Sequence, residues 1–170
     1  AYHKENEFDL SKDYVSIRGE DNLFSYTKIK NLAFRLCEDD DLSDILGVII
    51  AANTLQIPLF ISYESQNEKV KFAQKICEKA SLKAEFSKES SKEFADKIPN
   101  FERVRYHARA SKDDIIYKSA AQNAKIIIAP KPLINGRFEL LYYHNEKSLS
   151  VSYHRYGNLG IKALNSKPKI

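Results

Sequence analysis

The 170-residue sequence contains no methionine, no tryptophan, two cysteines and five glycines. Cys37 and Cys77 stand far apart without CxxC spacing, so they indicate neither a disulfide framework nor a zinc site and favour a reducing compartment. The longest apolar run, residues 45–52, is interrupted by Gly47, whereas a membrane span needs roughly 20 apolar residues. Because the start also lacks the basic-then-apolar order of a secretory signal, we expect a cytoplasmic protein without a membrane span.

The missing methionine also bears on how the chain is organised. The sequence begins with Ala1, and residues 1–13 are polar and patternless, as a domain linker would be. We therefore expect a domain of a longer polypeptide, with residues 1–26 as a linker and lead-in segment.

Charge is modest and unevenly placed. The net charge is +4 at pH 7, and six basic residues but only two acidic ones follow position 136. These charges are dispersed among serines, so they indicate a solvated tail or an acidic protein partner rather than nucleic acid.

Strand and helix patterns alternate through the middle of the chain. β-branched and aromatic runs predict five strands, at 31–37, 59–63, 83–87, 102–107 and 125–129. Apolar residues at helical spacing predict helices at 41–55, 67–80 and 91–98. Ser111 is predicted to cap a further helix. Strands separated by helices favour parallel pairing. Residues 27–134 are therefore predicted to form an α/β domain, a Rossmann-like doubly wound, mainly parallel sheet.

A different pattern follows this domain. Apolar residues alternate with polar ones on both sides of the sequence 144–147, at Phe138, Leu140, Tyr142, Leu149, Val151 and Tyr153. This period of two predicts a C-terminal β-hairpin, or flap, within residues 135–160, followed by a flexible C-terminus at 161–170. Such a hairpin either lies on its own domain or pairs its open edge with another domain or subunit.

The turn after the first predicted strand decides against dinucleotide binding. A Rossmann fingerprint needs glycines there, so that backbone amides can approach the pyrophosphate. Residues 37–41 read Cys-Glu-Asp-Asp-Asp instead, and none of the five glycines is arranged as GxGxxG. The sequence therefore predicts no cofactor in this chain.

An acidic turn also suggests a phosphorelay receiver domain, which holds Mg²⁺ with such residues and carries a Lys-Pro pair after its last strand. The chain offers residues 39–41 and Lys131-Pro132, but the third strand ends in Ser87-Lys88 without an aspartate to accept a phosphoryl group. Carboxylates that cap a helix explain residues 39–41 equally well.

No catalytic or metal-binding group is predicted. Cys37 ends an apolar strand and Cys77 lies on the apolar face of a helix, so both are interpreted as packed thiols. The four histidines are scattered without the spacing of a metal motif.

The candidate site residues are instead of the kind found at protein interfaces. A dense polar and aromatic run occupies 153–158, in which Arg155 can pair with a carboxylate and Gly157 permits a sharp turn. An ordinary strand end with solvated charges explains the same composition. The docking candidates are Arg137, Glu139, Tyr153, His154, Arg155, Tyr156, Gly157 and Asn158.

Two segments resemble a known family. Residues 135–160, NGRFELLYYHNEKSLSVSYHRYGNLG, resemble the C-terminal signature of bacterial proline utilization A proteins, and residues 18–26, RGEDNLFSY, resemble the segment after their dehydrogenase active-site region. These proteins join an FAD-dependent proline dehydrogenase to an NAD-dependent semialdehyde dehydrogenase. Their familiar members end in small residues, whereas this tail reads YHRYGNLG, which leaves its docking contacts open.

The resemblance implies a non-catalytic C-terminal domain of the aldehyde dehydrogenase superfamily. Such a domain covers the internal tunnel of the bifunctional enzyme, with residues 148–153 as the flap strand and 154–160 as a docking tail. FAD and NAD would belong to the parent protein, and the partners would be its catalytic domains, with a homodimer through the flap as a further possibility. The alternative is a free-standing α/β binding or receiver-like signalling module.

Overall fold

The computed structural model describes residues 2–107 and 114–153. The chain divides into two compact units. Unit 1 comprises the described parts of residues 1–27 and 144–170, and unit 2 comprises residues 28–143, except 108–113. The predicted α/β domain began at residue 27 and ended at 134, so unit 2 continues nine residues beyond it.

Helices and strands alternate through unit 2. The elements are β3 (Leu32–Leu36), α1 (Leu42–Leu55), β4 (Leu59–Tyr63), α2 (Glu68–Lys79), β5 (Ala84–Lys88), α3 (Ser91–Lys97), β6 (Arg103–Tyr106), α4 (Asp114–Gln122), β7 (Ile126–Ile128) and α5 (Gly136–Leu141). A short 3₁₀ turn, Ile98–Asn100, extends α3. Each of the five predicted strands is present, with bounds that differ by no more than two residues from those expected.

The five strands of unit 2 form one parallel sheet in the order β5-β4-β3-β6-β7. Counted within the unit, this is the order third, second, first, fourth, fifth, which is the strand order of the Rossmann fold. The predicted α/β class with a parallel sheet is confirmed.

The centre of the sheet is buried on both faces, and apart from Arg35 and Ser62 the residues of β3 and β4 are apolar. All residues of β3 and β4 are buried, as expected when helices cover both sides of a parallel sheet. Ala33, Phe60 and Val104 point to one face and pack with Phe94 of α3 and Ile116 of α4. Their sequence neighbours point to the opposite face.

Side chains cap the amino termini of two of these helices, α2 and α3. Asn67 accepts hydrogen bonds from the amides of Lys69 and Val70, both at 3.0 Å, at the start of α2. Ser90 and Glu93 form a reciprocal capping box at the start of α3. Within residues 2–107 and 114–153, no helix is long and apolar enough to cross a bilayer.

The predicted hairpin is wrong in its first half. Residues 138–142 were expected to be a strand, but Gly136–Leu141 form helix α5. The Asn135 side chain accepts hydrogen bonds from the amides of Arg137 at 3.0 Å and Phe138 at 3.4 Å, and this cap starts a helix in a segment where alternation alone suggested a strand.

The second half of the hairpin is a strand, β8 (His144–Ser152), and the expected turn at 144–147 is part of it. Its partner is β2 (Glu20–Lys28) rather than residues 138–142. The strands run in opposite directions, since the amide of Tyr153 donates to the Gly19 carbonyl at 3.0 Å and Ser150 Oγ donates to Asn22 at 2.8 Å.

Unit 1 is therefore built from both ends of the chain. A short strand, β1 (Lys12–Asp13), extends its sheet in the order β1-β2-β8. Phe8 is buried and stacks on His144, with 4.4 Å between ring centroids, and meets Tyr26 edge-on at 5.0 Å. Residues 1–26 were predicted to be a linker, but the described part takes part in this sheet and core.

Gly47 of α1 faces Pro132, and a Cβ at position 47 would lie 2.9 Å from the Pro132 Cβ. We expect Gly47→Ala to lower the free energy of unfolding by about 1–2 kcal/mol, because the overlap outweighs the better helix propensity of alanine. Gly136 has no neighbour within 4 Å of an added Cβ, so Gly136→Ala is the matched control and is expected to be neutral or stabilising. Urea denaturation followed by circular dichroism measures both, and an equally stable Gly47→Ala would contradict the close approach.

Candidate functional site at the carboxyl edge of the parallel sheet

The place where a fold of this kind binds its ligand is set by strand order. Strand β4 pairs with one side of β3 and strand β6 with the other, so the strand order reverses its direction at β3. Ligands of open α/β sheets bind at the carboxyl ends of the strands at this switch point. The residues that follow β3 and β7 there are the acidic turn, residues 37–41, and Lys131.

Asp40 is the most enclosed carboxylate of the acidic turn. It is 1% exposed, and its Oδ2 accepts a hydrogen bond from the amide of Cys37 at 2.7 Å. Burial raises the pKa of Asp40 to about 6, although the hydrogen bond from Cys37 favours the charged form. Asp40 therefore acts as an internal brace that closes the turn after β3.

Lys131 bridges the turn to helix α1. Its Nζ lies 2.6 Å from Asp41 Oδ2 and 3.2 Å from Asp44 Oδ2. Asp41 is the residue before α1, but its side chain makes no capping hydrogen bond. The expected carboxylate cap is therefore wrong for Asp41, whose side chain pairs with a lysine ammonium instead.

The other side of the turn is tied to the chain that follows β4. Ser65 Oγ donates to Glu38 Oε1 at 3.1 Å, and the Lys69 ammonium donates to the Glu38 carbonyl. Contacts from two directions thus fix the acidic turn, and its carboxylates stay at the switch point.

This arrangement disfavours the ligands and chemistry common at such an edge. Pyrophosphate would meet the carboxylates of residues 38–41, and like charges repel. Burial, with Asp40 and Asp39 adding to it, raises the pKa of Cys37 to about 12, so its thiol is not a nucleophile near neutral pH. In the parts of the chain that the structure describes, no group of three or more His, Cys, Asp or Glu residues is placed to hold a metal ion.

Comparisons with known proteins add a structural likeness. No protein-family model matches the sequence, and no curated protein matches it. The chain is similar to the structure of Proline Utilization A (PutA) from Corynebacterium freiburgense, with 22% sequence identity and a TM-score of 0.53, over 92% of this chain and 13% of that one. It is also similar to histidinol dehydrogenase from Elizabethkingia anophelis, with 10% identity and a TM-score of 0.58, over 77% of this chain and 33% of that one.

The chain shares its fold with a part of each of these two proteins. The chain spans 13% of the PutA chain and 33% of the histidinol dehydrogenase chain. Identities this low establish a shared fold and leave activity to be argued from the site itself.

The strand order separates this fold from a receiver domain. A receiver has the order 2-1-3-4-5, with its third strand beside the first. Here the third strand of unit 2, β5, lies at the sheet edge, and the fourth, β6, lies beside β3. The end of β5 is thus not adjacent to the acidic turn, and the receiver-like alternative lacks the expected topology.

Glu139, a predicted docking residue, is buried inside unit 2. It is 4% exposed, and its Oε1 lies 3.2 Å from Nη2 of Arg105, which is 0% exposed. Tyr143 donates to the same oxygen at 2.6 Å, and the Leu133 amide donates to Oε2 at 2.7 Å. The prediction that Glu139 docks on a partner is therefore corrected: its carboxylate balances a buried guanidinium.

The remaining docking candidates are placed only in part. Arg137 is half-buried in the first turn of α5, with its guanidinium carbon 5.4 Å from the centroid of Phe138. Tyr153 belongs to unit 1, where it is also half-buried. The other five candidates, His154, Arg155, Tyr156, Gly157 and Asn158, lie outside the described residues.

Sequence reasoning missed three arginines that the structure buries, Arg35, Arg103 and Arg105. Arg35 of β3 donates to Ser62 Oγ at 2.7 Å and to the Glu89 carbonyl at 2.9 Å. In β6 the arginines alternate with apolar residues, a pattern that is also typical of a strand with one solvent-facing side, so alternation by itself does not reveal their burial. An arginine in the middle of a central parallel strand was the available signal, because both faces of such a strand are covered.

A groove of about 500 Å³ opens at the opposite, amino edge of the sheet. Its floor includes Phe60 and Phe101, whose ring centroids are 5.0 Å apart, and Lys83, Glu85 and Lys97 stand on its walls. It lies away from the switch point. Lys97 is paired with Glu89, which leaves Lys83 and Glu85 as opposite charges at the groove, so charge selects no class of ligand there.

Asp40 makes stability depend on pH. Its pKa is about 6 in the folded chain against an ordinary 3.8, so the folded state holds this proton more tightly and loses stability as pH rises through that interval. We expect Asp40→Asn, which keeps an acceptor for the Cys37 amide, to gain stability relative to wild type between pH 4 and pH 6, by at most about 3 kcal/mol. Urea denaturation at several pH values gives the difference, and a constant difference would contradict the raised pKa.

The buried pair of Arg105 and Glu139 gives a second prediction. Glu139→Gln leaves the guanidinium without a counter-charge and is expected to lower the free energy of unfolding by about 3–5 kcal/mol. The double variant, with Arg105→Met added, removes both charges and is expected to be more stable than Glu139→Gln alone. Thermal and urea denaturation compare the variants, and a double variant no more stable than the single one would show that the charge of Arg105 is not the source of the loss.

Proposed function

We propose that this chain is a non-catalytic domain of a bifunctional enzyme that oxidises proline to glutamate, and that it covers the internal passage between the two catalytic centres. Both catalytic domains would be its partners within one polypeptide. The parent enzyme, and not this chain, would hold FAD and NAD.

The observation that carries the proposal is the closed carboxyl edge. At the position where a dinucleotide would bind, the turn presents carboxylates and Lys131 pairs with Asp41 and Asp44. A dehydrogenase-like domain whose ligand edge carries this charge is suited to a structural role. The likeness to PutA over 92% of this chain, and the resemblance of residues 18–26 and 135–160 to that family, support the choice of parent enzyme.

Strand β8 supports the covering role. Leu149 and Val151 alternate with polar residues, as on a strand with one covered face, yet they are 47% and 41% exposed. An apolar strand face of this kind is suited to a protein partner. Residues 148–153 would then form the flap over the passage, with 154–160 as the docking tail.

The test uses the longer enzyme that the proposal implies. Deleting residues 144–170 is expected to reduce the coupled conversion of proline to glutamate severalfold, because the intermediate escapes from an uncovered passage, while each half-reaction assayed alone changes less. Deletion of residues 161–170 only, the predicted flexible C-terminus, is the matched control.

Coupled and separate rates are compared by steady-state kinetics and by the lag before the second product appears. If the larger deletion left the coupled rate and the lag unchanged, the covering role would be ruled out. If both half-reactions fell as much as the coupled rate, the segment would serve the stability of the whole enzyme instead.

A further inference from the structure

Unit 2 carries a group of exposed apolar side chains around α5 that its own core does not use. Ile134 is fully exposed, and Ile50, Phe138 and Leu133 are 55%, 48% and 41% exposed. We name these four residues the α1–α5 apolar patch. The close approach of Pro132 to Gly47 brings the loop before α5 against α1, and Ile50 lies one helical turn beyond Gly47 on the same side of the helix.

The loop that presents Ile134 is fixed rather than loose. On one side Lys131 pairs with Asp41 and Asp44. Immediately before Ile134, the amide of Leu133 donates to the buried carboxylate of Glu139 at 2.7 Å. A fully exposed isoleucine on a loop held by the Lys131 ion pairs and by a hydrogen bond to the buried Glu139 carboxylate is preorganised for contact, since little conformational entropy is lost when it is covered.

The surroundings of the patch resemble those of an interface contact. Phe138 is half exposed beside the guanidinium of Arg137 at 5.4 Å. Aromatic residues and arginine are enriched where proteins meet, and apolar side chains at the centre with charges around them are usual there.

We infer that the α1–α5 apolar patch is where unit 2 packs against the remaining part of its own longer polypeptide. This inference rests on the proposed function and names the surface involved. The similar PutA chain is far longer, since the likeness covers 13% of it. Under the proposed function, the patch would therefore contact another domain of the same polypeptide.

The size of the patch also favours a partner on the same chain over a second copy. Four partly exposed side chains cover at most a few hundred Å², whereas each partner of a stable two-chain complex buries roughly 800 Å². A domain tied to its partner needs less area, because the linkage supplies a high effective concentration.

The experiment measures how fast a thiol at position 134 reacts with a maleimide reagent. Ile134→Cys is made in the 170-residue chain and in the full-length polypeptide, with Lys71→Cys on exposed α2 as the matched control. Native Cys77 is buried and the pKa of Cys37 is raised to about 12, so the background reaction is slow, and it is measured in the unmodified proteins.

We expect Ile134→Cys to react about tenfold more slowly in the full-length polypeptide than in the 170-residue chain, because a covered thiol reacts only when the contact opens, while Lys71→Cys reacts equally fast in both. Equal rates at position 134 would overturn the inference. So would slowing in the 170-residue chain that grows with its concentration, because the occupant would then be a second copy.

Failure of the underlying proposal is recognised separately. The mass of the protein in source cells, measured by immunoblot, shows whether a longer polypeptide exists. A product near 19.5 kDa would refute the parent enzyme and the inference together, whereas a much larger product with a fast-reacting thiol at position 134 would refute the choice of surface alone.

Discussion

The enclosure of strand β3 is the constraint on which the rest of unit 2 depends. All five of its residues are buried, and strands pair with it on both sides. A charged side chain that enters such a layer needs hydrogen-bond or ion-pair partners. Arg35 is therefore held by Ser62 and the Glu89 carbonyl, and Arg105 on the neighbouring strand is balanced by Glu139.

The burial of β3 is also linked to the contacts at the carboxyl edge of the sheet. The chain leaves β3 through the acidic turn, in which Asp40 braces the backbone, and Lys131 then joins the chain after β7 to the start of α1. Since Lys131, Leu133 and Glu139 belong to one short segment, the pair that closes the ligand edge and the pair that anchors α5 support each other. The position used for binding in related folds carries these structural contacts here.

The strands of the parallel sheet could be predicted from the sequence, but helix α5 and the partner of β8 could not. A short, mainly apolar run such as 59–63 predicts a buried strand in a βαβ pattern, and the predicted bounds of that strand agree with the structure at both ends. Residues 138–142 satisfied a strand period, and the cap by Asn135 and the buried ion pair of Glu139 decided for a helix. The partner of β8 is more than 100 positions away, at β2, so local patterns could not reveal it, nor could they show which carboxylates would be buried.

The most direct test of the closed edge is a titration of the isotope-labelled 170-residue chain with NAD⁺, followed by the amide NMR signals of residues 37–44. If the edge is closed, no saturable change is expected up to about 10 mM, well above the roughly 1 mM dissociation constant that corresponds to about 4 kcal/mol of binding. Saturable shifts in these amides would contradict the closed edge, because they would show that the edge still accepts a dinucleotide despite its carboxylates.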